Sequence, residues 1–274
     1  MRTWIAVIPL LFSTSVNAID YNTKNHLNVG LNTFYRDYSE VLVYPKKSDE
    51  RGMLYGVVIE YERKAPQSVM FLIDLDLAGG NTHYDGSLQN FYGEYAGPKD
   101  STTSNAFINI DTKLGYTFLK NCKHLITPFV GLGVSGWGRG LGNDDDSSSY
   151  AEIYTWDYFS YGLQYDYNPN RQWQYGLHAT LMTMLAGYMQ ISDYDDVSLQ
   201  LGNKTHFEVS APVIYRRNVD SKNYWRFTPY YQYQAFGASD YALVHASYFY
   251  TVYMREPASH THIAGLKVEF GIGL

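Results

Sequence analysis

The feature that most constrains this chain is a period-two alternation of apolar and polar residues, which recurs in ten segments between residues 26 and 273. Residues 264–273, for example, read AGLKVEFGIG, so that apolar side chains alternate with Gly, Lys or Glu. Because successive side chains of a β-strand point to opposite faces, each segment predicts a strand with one apolar and one polar face. The sequence therefore predicts an all-β fold of about ten strands, with eight or twelve as alternatives.

The connections between these segments alternate strictly between short and long. The short ones are 64–68, 120–124, 168–171 and 218–223, and the long ones are 38–52, 80–104, 139–152, 189–203 and 237–258. Barrels of the bacterial outer membrane have short periplasmic turns and longer extracellular loops, and a sheet in lipid must close on itself. We therefore expect residues 19–274 to form a transmembrane antiparallel up-and-down β-barrel with five extracellular loops, located in the bacterial outer membrane.

A secreted soluble β-sandwich or lipocalin-like barrel is the alternative fold. Its apolar face would point inward, and it would not usually place Gly, Asn, Asp and Glu on one shared face through ten strands. The mean hydropathy of −0.31 does not oppose a membrane barrel, because it averages the apolar face with a polar lumen and five loops. The chain also contains 28 Tyr and 5 Trp, many of them near strand ends, which is typical of interfacial girdles.

The first eighteen residues have the pattern of a cleaved signal peptide. Arg2 provides the positive charge, residues 4–12 (WIAVIPLLF) form a short apolar stretch, and Val16 and Ala18 fit a signal-peptidase site. A buried N-terminal strand is the alternative.

The net charge of −6 without a basic cluster argues against nucleic acid as a partner, and the one cysteine, Cys122, excludes a disulfide scaffold.

Three prolines fall inside predicted strands, at Pro128, Pro212 and Pro229. Because proline cannot donate to a strand ladder, we expect β-bulges or strand ends at these positions.

Charged residues on the polar faces predict an ionic network in the lumen. Acidic residues dominate strands two to four, whereas arginines lie on strands one, eight and nine. The predicted network consists of Arg36, Glu60, Glu62, Asp74, Asp76, Asp111, Lys113, His178, Glu208, Arg216 and Arg226. Two interpretations remain open, namely salt bridges that plug the lumen and a narrow, water-filled pore that prefers cations.

Three groups of residues are candidates for catalytic or metal sites. Asp74 and Asp76 form a carboxylate pair, His178 and Glu208 would sit on adjacent strands, and His260 and His262 lie near the outer rim. No well-placed serine completes the His178–Glu208 pair, and two histidines two residues apart are a weak metal signal. We therefore expect no catalytic site, no metal and no cofactor, with a lipid-modifying or proteolytic barrel enzyme as the alternative.

The long loops are candidates for surface interactions. Residues 144–146 and the aspartates 193, 195 and 196 make loops three and four acidic, so divalent cations could bridge them to lipopolysaccharide phosphates. Loops two and five are rich in Tyr, Gly, Ser and Asn, a composition that suits binding of a host or surface ligand. The expected function is a structural or adhesive surface role or a narrow cation-preferring channel.

Three stretches carry a resemblance to a known superfamily: residues 127–134 (TPFVGLGV), 227–233 (FTPYYQY) and 264–270 (AGLKVEF). In these, the chain resembles the small bacterial outer-membrane β-barrel proteins of the OmpA-membrane-domain and opacity-porin type. The resemblance implies contact with outer-membrane lipid and insertion by the barrel-assembly machinery, which reads a terminal aromatic residue. Here the chain ends FGIGL (residues 270–274), so that signal is displaced or degenerate.

Overall fold

The structure, a computed structural model, describes residues 25–89, 94–141, 150–192, 197–247 and 250–274. The predicted signal peptide lies outside these residues. The strands are β1 (Asn25–Glu40), β2 (Ser48–Arg63), β3 (Ser68–Gln89), β4 (Tyr95–Lys120), β5 (His124–Leu141), β6 (Tyr150–Tyr167), β7 (Trp173–Ile191), β8 (Ser198–Gln200), β9 (Thr205–Ser210), β10 (Val213–Tyr215), β11 (Tyr224–Phe236), β12 (Ala242–Ser247), β13 (Tyr250–Met254) and β14 (Ser259–Gly273). Among the described residues, no helix is long and apolar enough to cross a membrane.

The main sheet closes into an antiparallel ring with ten strand positions. Strands β1 to β7 each pair with the next, and β14 pairs with both β11 and β1. The short strands β8, β9 and β10 together fill the single position between β7 and β11. The predicted all-β, up-and-down barrel of about ten strands is thereby confirmed. The hairpin β12–β13 stands apart from the ring, in the connection between β11 and β14.

An apolar belt surrounds the outside of the ring. On β4, for example, the exposed outward side chains between residues 108 and 118 are Ile108, Ile110, Leu114, Tyr116 and Phe118. Leu31 on β1 is 66% exposed, whereas its neighbour Asn32 is buried in the lumen. Apolar side chains on the outside and polar ones inside are the reverse of a soluble barrel, and they suit a wall that faces lipid.

Several strands run well beyond this belt, which corrects the predicted loop bounds. Most of the predicted loop 80–104 is strand, because β3 continues to Gln89 and β4 begins at Tyr95. In the same way β5 continues to Leu141 and β6 begins at Tyr150, inside the predicted loop 139–152. Outside the lipid both faces of a strand are wet, so the hydropathy contrast ends while the backbone pairing continues.

The prolines mark irregular points of the ladder. Pro212 lies between β9 and β10, so the strand predicted over residues 206–216 is interrupted there. At Pro128 the pairing of β4 with β5 has a gap, because the register resumes only at Phe118 opposite Ile126. Pro229 lies next to the end of the β9–β11 pairing, and its carbonyl accepts a hydrogen bond from the Ala211 N–H. The expected strand end is thus found at Pro212, whereas Pro128 and Pro229 lie inside β5 and β11, where the pairing with one neighbouring strand is interrupted or ends.

Candidate functional site

The lumen is closed at the end that carries the long connections by a layer of buried charged and aromatic side chains, which we call the closing layer. We refer to this end as extracellular and to the opposite end as periplasmic, following the prediction from the alternation of short and long connections. Its members are Arg36, Tyr38, Glu50, Trp137, Arg139, Glu152 and Tyr154, and each is less than 9% exposed. The outward residues at the same level include Asp37 and Arg51. Because charged side chains avoid the hydrocarbon region, the closing layer lies at or just outside the outer boundary of the membrane.

Arg139 is the cation at the centre of this layer. Its Nε lies 2.8 Å from Glu50 Oε2, and its Nη1 lies 3.0 Å from Glu152 Oε2 and 3.4 Å from Glu40 Oε1. The Arg36 guanidinium donates to Glu50 from the opposite side, with Nη1 3.2 Å from Oε1. These ion pairs connect β5 with β1, β2 and β6 across the interior of the barrel.

Stacked aromatic rings complete the layer around Trp137. Its ring stacks on Tyr154 with a centroid separation of 4.5 Å and makes an edge contact with Tyr38 at 5.2 Å. The Arg36 guanidinium lies 3.9 Å from the Trp137 ring centroid, and the indole N–H donates to Asn105 Oδ1 at 2.7 Å. The polar N–H of the buried indole therefore has a hydrogen-bond partner, as buried polar groups usually do.

The extracellular connection before β14 joins this layer through Glu256. The Tyr154 hydroxyl lies within hydrogen-bond distance of Glu256 Oε1 (2.7 Å) and Glu152 Oε2 (3.0 Å). Burial, followed by the nearby carboxylates of Glu152 and Glu40, raises the pKa of Glu256 well above its usual range. The raised pKa favours the protonated form of Glu256, which reduces repulsion between the carboxyl groups of Glu256 and Glu152.

Below the closing layer, at the level of the apolar belt, lies a chamber of about 190 Å³. Nine of the eleven residues predicted for the lumen network line it, namely Glu60, Glu62, Asp74, Asp76, Asp111, Lys113, His178, Glu208 and Arg226. Arg36 belongs to the closing layer instead, and Arg216 follows β10 with its guanidinium 5.1 Å from the Tyr224 ring centroid.

Ion pairs bind several of these residues together. Arg226 Nη1 lies 2.7 Å from Glu60 Oε1, and its Nε donates to Glu269 Oε2 at 2.7 Å. Lys267 Nζ lies 3.1 Å from Asp76 Oδ2. Lys267 and Glu269 are absent from the network predicted from the sequence, although both occupy polar positions of the final alternating segment.

His178 does not pair with Glu208. Its Nε2 lies 3.0 Å from Asp166 Oδ1, and the other Asp166 oxygen accepts a hydrogen bond from Lys64 Nζ at 2.6 Å. The strand register places Thr180, and not His178, opposite Glu208. The His178–Glu208 pair considered from the sequence is therefore absent, and His178 belongs to an ion-pair group at the periplasmic end of the lumen.

The remaining candidates lie on the outer wall, in turns or outside the described residues. His262 Nδ1 lies 2.6 Å from the Tyr231 hydroxyl, and His260 packs against His262 with ring centroids 5.8 Å apart. In the described ranges, no group of three or more His, Cys, Asp or Glu side chains is arranged to hold a metal ion. Cys122 is a free thiol in the turn between β4 and β5. The acidic loop residues 144–146, 193, 195 and 196 lie outside the described residues.

Comparison with known proteins supports the fold. The sequence matches no protein-family profile and has no significant match among curated proteins. The structure is similar to the outer membrane protease OmpT from Escherichia coli, with a TM-score of 0.58 and 9% identity, over 96% of this chain and 100% of that chain.

Two further solved structures match at lower similarity. The translocator domain of the autotransporter NalP from Neisseria meningitidis has a TM-score of 0.41 and 10% identity, over 93% of this chain and 91% of that chain. The outer membrane protein OprG from Pseudomonas aeruginosa has a TM-score of 0.39 and 8% identity, over 93% of this chain and 98% of that chain. The closed ring, the apolar belt and the OmpT likeness together show the bacterial outer-membrane β-barrel fold and its location in that membrane.

The same likeness contradicts the prediction that this chain is not an enzyme. OmpT is a protease, and its barrel is similar to this one over the full length of that chain. At 9% identity the likeness concerns the fold alone, and one fold hosts many functions. The alternation from which the barrel was predicted therefore gives no ground for excluding catalysis.

Proposed function

We propose that this outer-membrane β-barrel is a non-conducting protein that binds other macromolecules through its extracellular end. The observation that carries the proposal is the closing layer, because contacts between its side chains connect strands across the lumen. Arg139 and Glu50 join β5 to β2, and the ring of Tyr154 on β6 contacts that of Phe236 on β11, with centroids 6.3 Å apart. A barrel whose interior is closed in this way offers its extracellular surface for contacts.

The height of the extracellular end supports a role in binding. Residues 95–104 of β4 lie beyond the apolar belt, and at roughly 3.3 Å per residue they extend about 30 Å along the strand. Paired strands hold this extension, so it is more rigid than an unpaired loop of equal length. A surface raised on paired strands is suited to contacts beyond the lipid headgroups.

Exposed apolar and aromatic side chains are present at this end. Val43 and Tyr44 in the first loop are 83% and 91% exposed, and Tyr253 on β13 is 75% exposed. The Val41 N–H donates to the Ala258 carbonyl at 2.7 Å, which joins the first loop to the segment before β14. Exposed tyrosines give large contact areas at low entropic cost, so these residues are the expected contact points.

Adhesion of cells that display the protein tests this role. The double variant Tyr44→Ser, Tyr253→Ser is expected to reduce adherence to collagen-coated, fibronectin-coated and epithelial surfaces. The loss of an aromatic contact worth about 2 kcal/mol weakens binding about 30-fold. Val219→Ser is the matched control, since Val219 is exposed in a periplasmic turn and its loss leaves the extracellular end intact. If cells that display the protein adhered to every surface equally well as cells that lack it, the proposal would be rejected.

Hydrolysis at the same end is a second candidate function, favoured by the carboxyl groups around Tyr154. The carboxyl groups of Glu256 and Glu152 both lie near the Tyr154 hydroxyl, and the pKa of Glu256 is raised by burial and by the nearby carboxylates, so the two carboxyl groups resemble the acid–base pairs that hydrolases use. The folded protein is incubated with a mixture of fluorogenic peptides, and Glu256→Gln is expected to reduce turnover at least 100-fold, which is the usual contribution of one acid–base group. Asp157→Asn, on the outer wall, serves as control. Equal turnover by Glu256→Gln and the parent protein would exclude this pair as the catalytic group.

A further inference from the structure

The chamber inside the barrel has an unusual arrangement of charge. Glu60, Asp74 and Asp111 lie directly opposite one another on β2, β3 and β4, and all three point into the lumen. Like charges in directly opposed positions of a sheet are destabilising, because their side chains come within about 5 Å. Among the described side chains that line the chamber, seven are acidic and three are Lys or Arg.

The basic residues compensate only part of this charge. Lys113 Nζ lies 2.9 Å from Asp111 Oδ2, and Lys267 Nζ lies 3.1 Å from Asp76 Oδ2 and 3.7 Å from Asp74 Oδ2. The other oxygen of each aspartate, Oδ1, is buried and has no hydrogen-bond partner among the described residues. Asp111 is only 6% exposed, so bulk water does little to satisfy its free oxygen.

Aromatic and aliphatic side chains form much of the remaining wall. Phe34, Phe107, Phe129, Met182 and Ile263 all line the same chamber. A bare inorganic ion gains little from such surfaces, whereas a molecule with an apolar body loses its contact with water against them. The volume of about 190 Å³ corresponds to roughly six water molecules, which suits a molecule of about ten non-hydrogen atoms at most.

We propose that this chamber is a binding site for a small organic cation, an alkyl or arylalkyl amine whose ammonium group donates hydrogen bonds to the free oxygens of Asp74, Asp76 and Asp111. An ammonium group has three donors, and the three oxygens are acceptors that lack donors. The apolar part of the amine packs against the phenylalanines of the chamber. The bound charge offsets the repulsion along the row of opposed acids.

The exposure of the lumen residues indicates that the chamber is sealed from the extracellular side. The side chains of Arg36, Glu50 and Arg139 in the closing layer are at most 2% exposed, whereas those of His178 and Lys267 in the chamber are each 22% exposed. The chamber lies beneath the closing layer and is distinct from the extracellular surface proposed above for adhesion.

Calorimetric titration of the folded protein with benzylamine tests the proposal, with neutral benzyl alcohol as the matched ligand. Benzylamine is expected to bind saturably, and benzyl alcohol to bind at least tenfold more weakly, because it cannot form charge-assisted hydrogen bonds with the aspartates. Asp111→Asn keeps the shape of the side chain and removes its charge, so it is expected to weaken benzylamine binding about tenfold. Asp157→Asn, on the outer wall, is expected to leave binding unchanged.

Heat-modifiable gel mobility first establishes that each variant is folded, and Asp76→Asn replaces Asp111→Asn if the latter does not fold. Equal affinity for benzylamine and benzyl alcohol would show an apolar cavity without cation recognition and overturn the proposal. An absence of saturable benzylamine binding, or equal binding by Asp76→Asn and Asp111→Asn and the parent protein, would overturn it as well. None of these outcomes depends on adherence or peptide hydrolysis, so the chamber and the extracellular end are tested separately.

Discussion

Arg139→Ala is expected to destabilise the folded barrel by about 3–5 kcal/mol, which is the usual cost of removing one partner from a buried ion pair. Arg139 is the cation shared by Glu50, Glu152 and Glu40, and it is 2% exposed. Its removal leaves these carboxylates facing one another in a site that excludes water. The loss is measured as a shift of the urea midpoint, followed in detergent by heat-modifiable gel mobility.

Two further variants test whether the loss of stability is specific to Arg139 or follows from the removal of any charge. Arg51→Ala removes an exposed arginine from the outer wall at a similar height, and it is expected to change stability by less than about 1 kcal/mol. The double variant Arg139→Ala, Glu50→Gln is expected to regain part of the loss, because one uncompensated charge is gone. If Arg139→Ala lowered the free energy of unfolding by less than about 1 kcal/mol, Arg139 would contribute no more than an exposed ion pair does. That result would contradict its role as the buried cation that stabilises the closing layer.

The substitution Trp137→Ala is expected to convert a non-conducting barrel into one that conducts ions. The indole contacts Tyr154, Tyr38 and the Arg36 guanidinium, so its removal leaves a gap in the middle of the closing layer. Water then connects the extracellular side with the acidic chamber below. In planar bilayers the parent protein is expected to show no steps, and Trp137→Ala to show steps with a reversal potential that favours K⁺ over Cl⁻.

Trp225→Ala is the matched control for this recording. Trp225 lies on the outer wall near the periplasmic end and is 46% exposed, so its loss does not open the lumen. The cation preference follows from the excess of acidic side chains in the chamber, and Asp74→Asn added to Trp137→Ala is expected to reduce it. Steady steps from the parent protein would contradict the non-conducting function, and a silent Trp137→Ala would show that Trp137 is not needed for closure.

The barrel was predictable from the sequence because lipid imposes a simple rule on every strand. Outward side chains such as Leu31 and Leu132 contact acyl chains, while their neighbours Asn32 and Gly131 face the lumen. This contrast repeats every second residue, so it is visible without knowledge of which strands pair. The same rule predicts which charged side chains point into the lumen. Nine of the eleven residues predicted in this way line one chamber.

The closing layer was not predictable in the same way. Arg139 falls at the edge of a segment that hydropathy assigned to a loop, because β5 continues there beyond the lipid. Its partner Glu50 is 89 residues away on β2, and only the closure and stagger of the ring bring them together. His178 shows the same limit, since its polar position was recognised but the register gave it Asp166 as a partner and not Glu208.

The sequence by itself thus determined the strands, their inward and outward faces and the ends at which the long connections lie. These properties follow from the two-residue period and from the cost of polar groups in hydrocarbon, which act on each strand separately. The tertiary structure alone decided that the extracellular end is closed and that a partly uncompensated acidic chamber lies beneath it. Both features depend on distances across the barrel, which are set by strand number, tilt and stagger together and by no single segment.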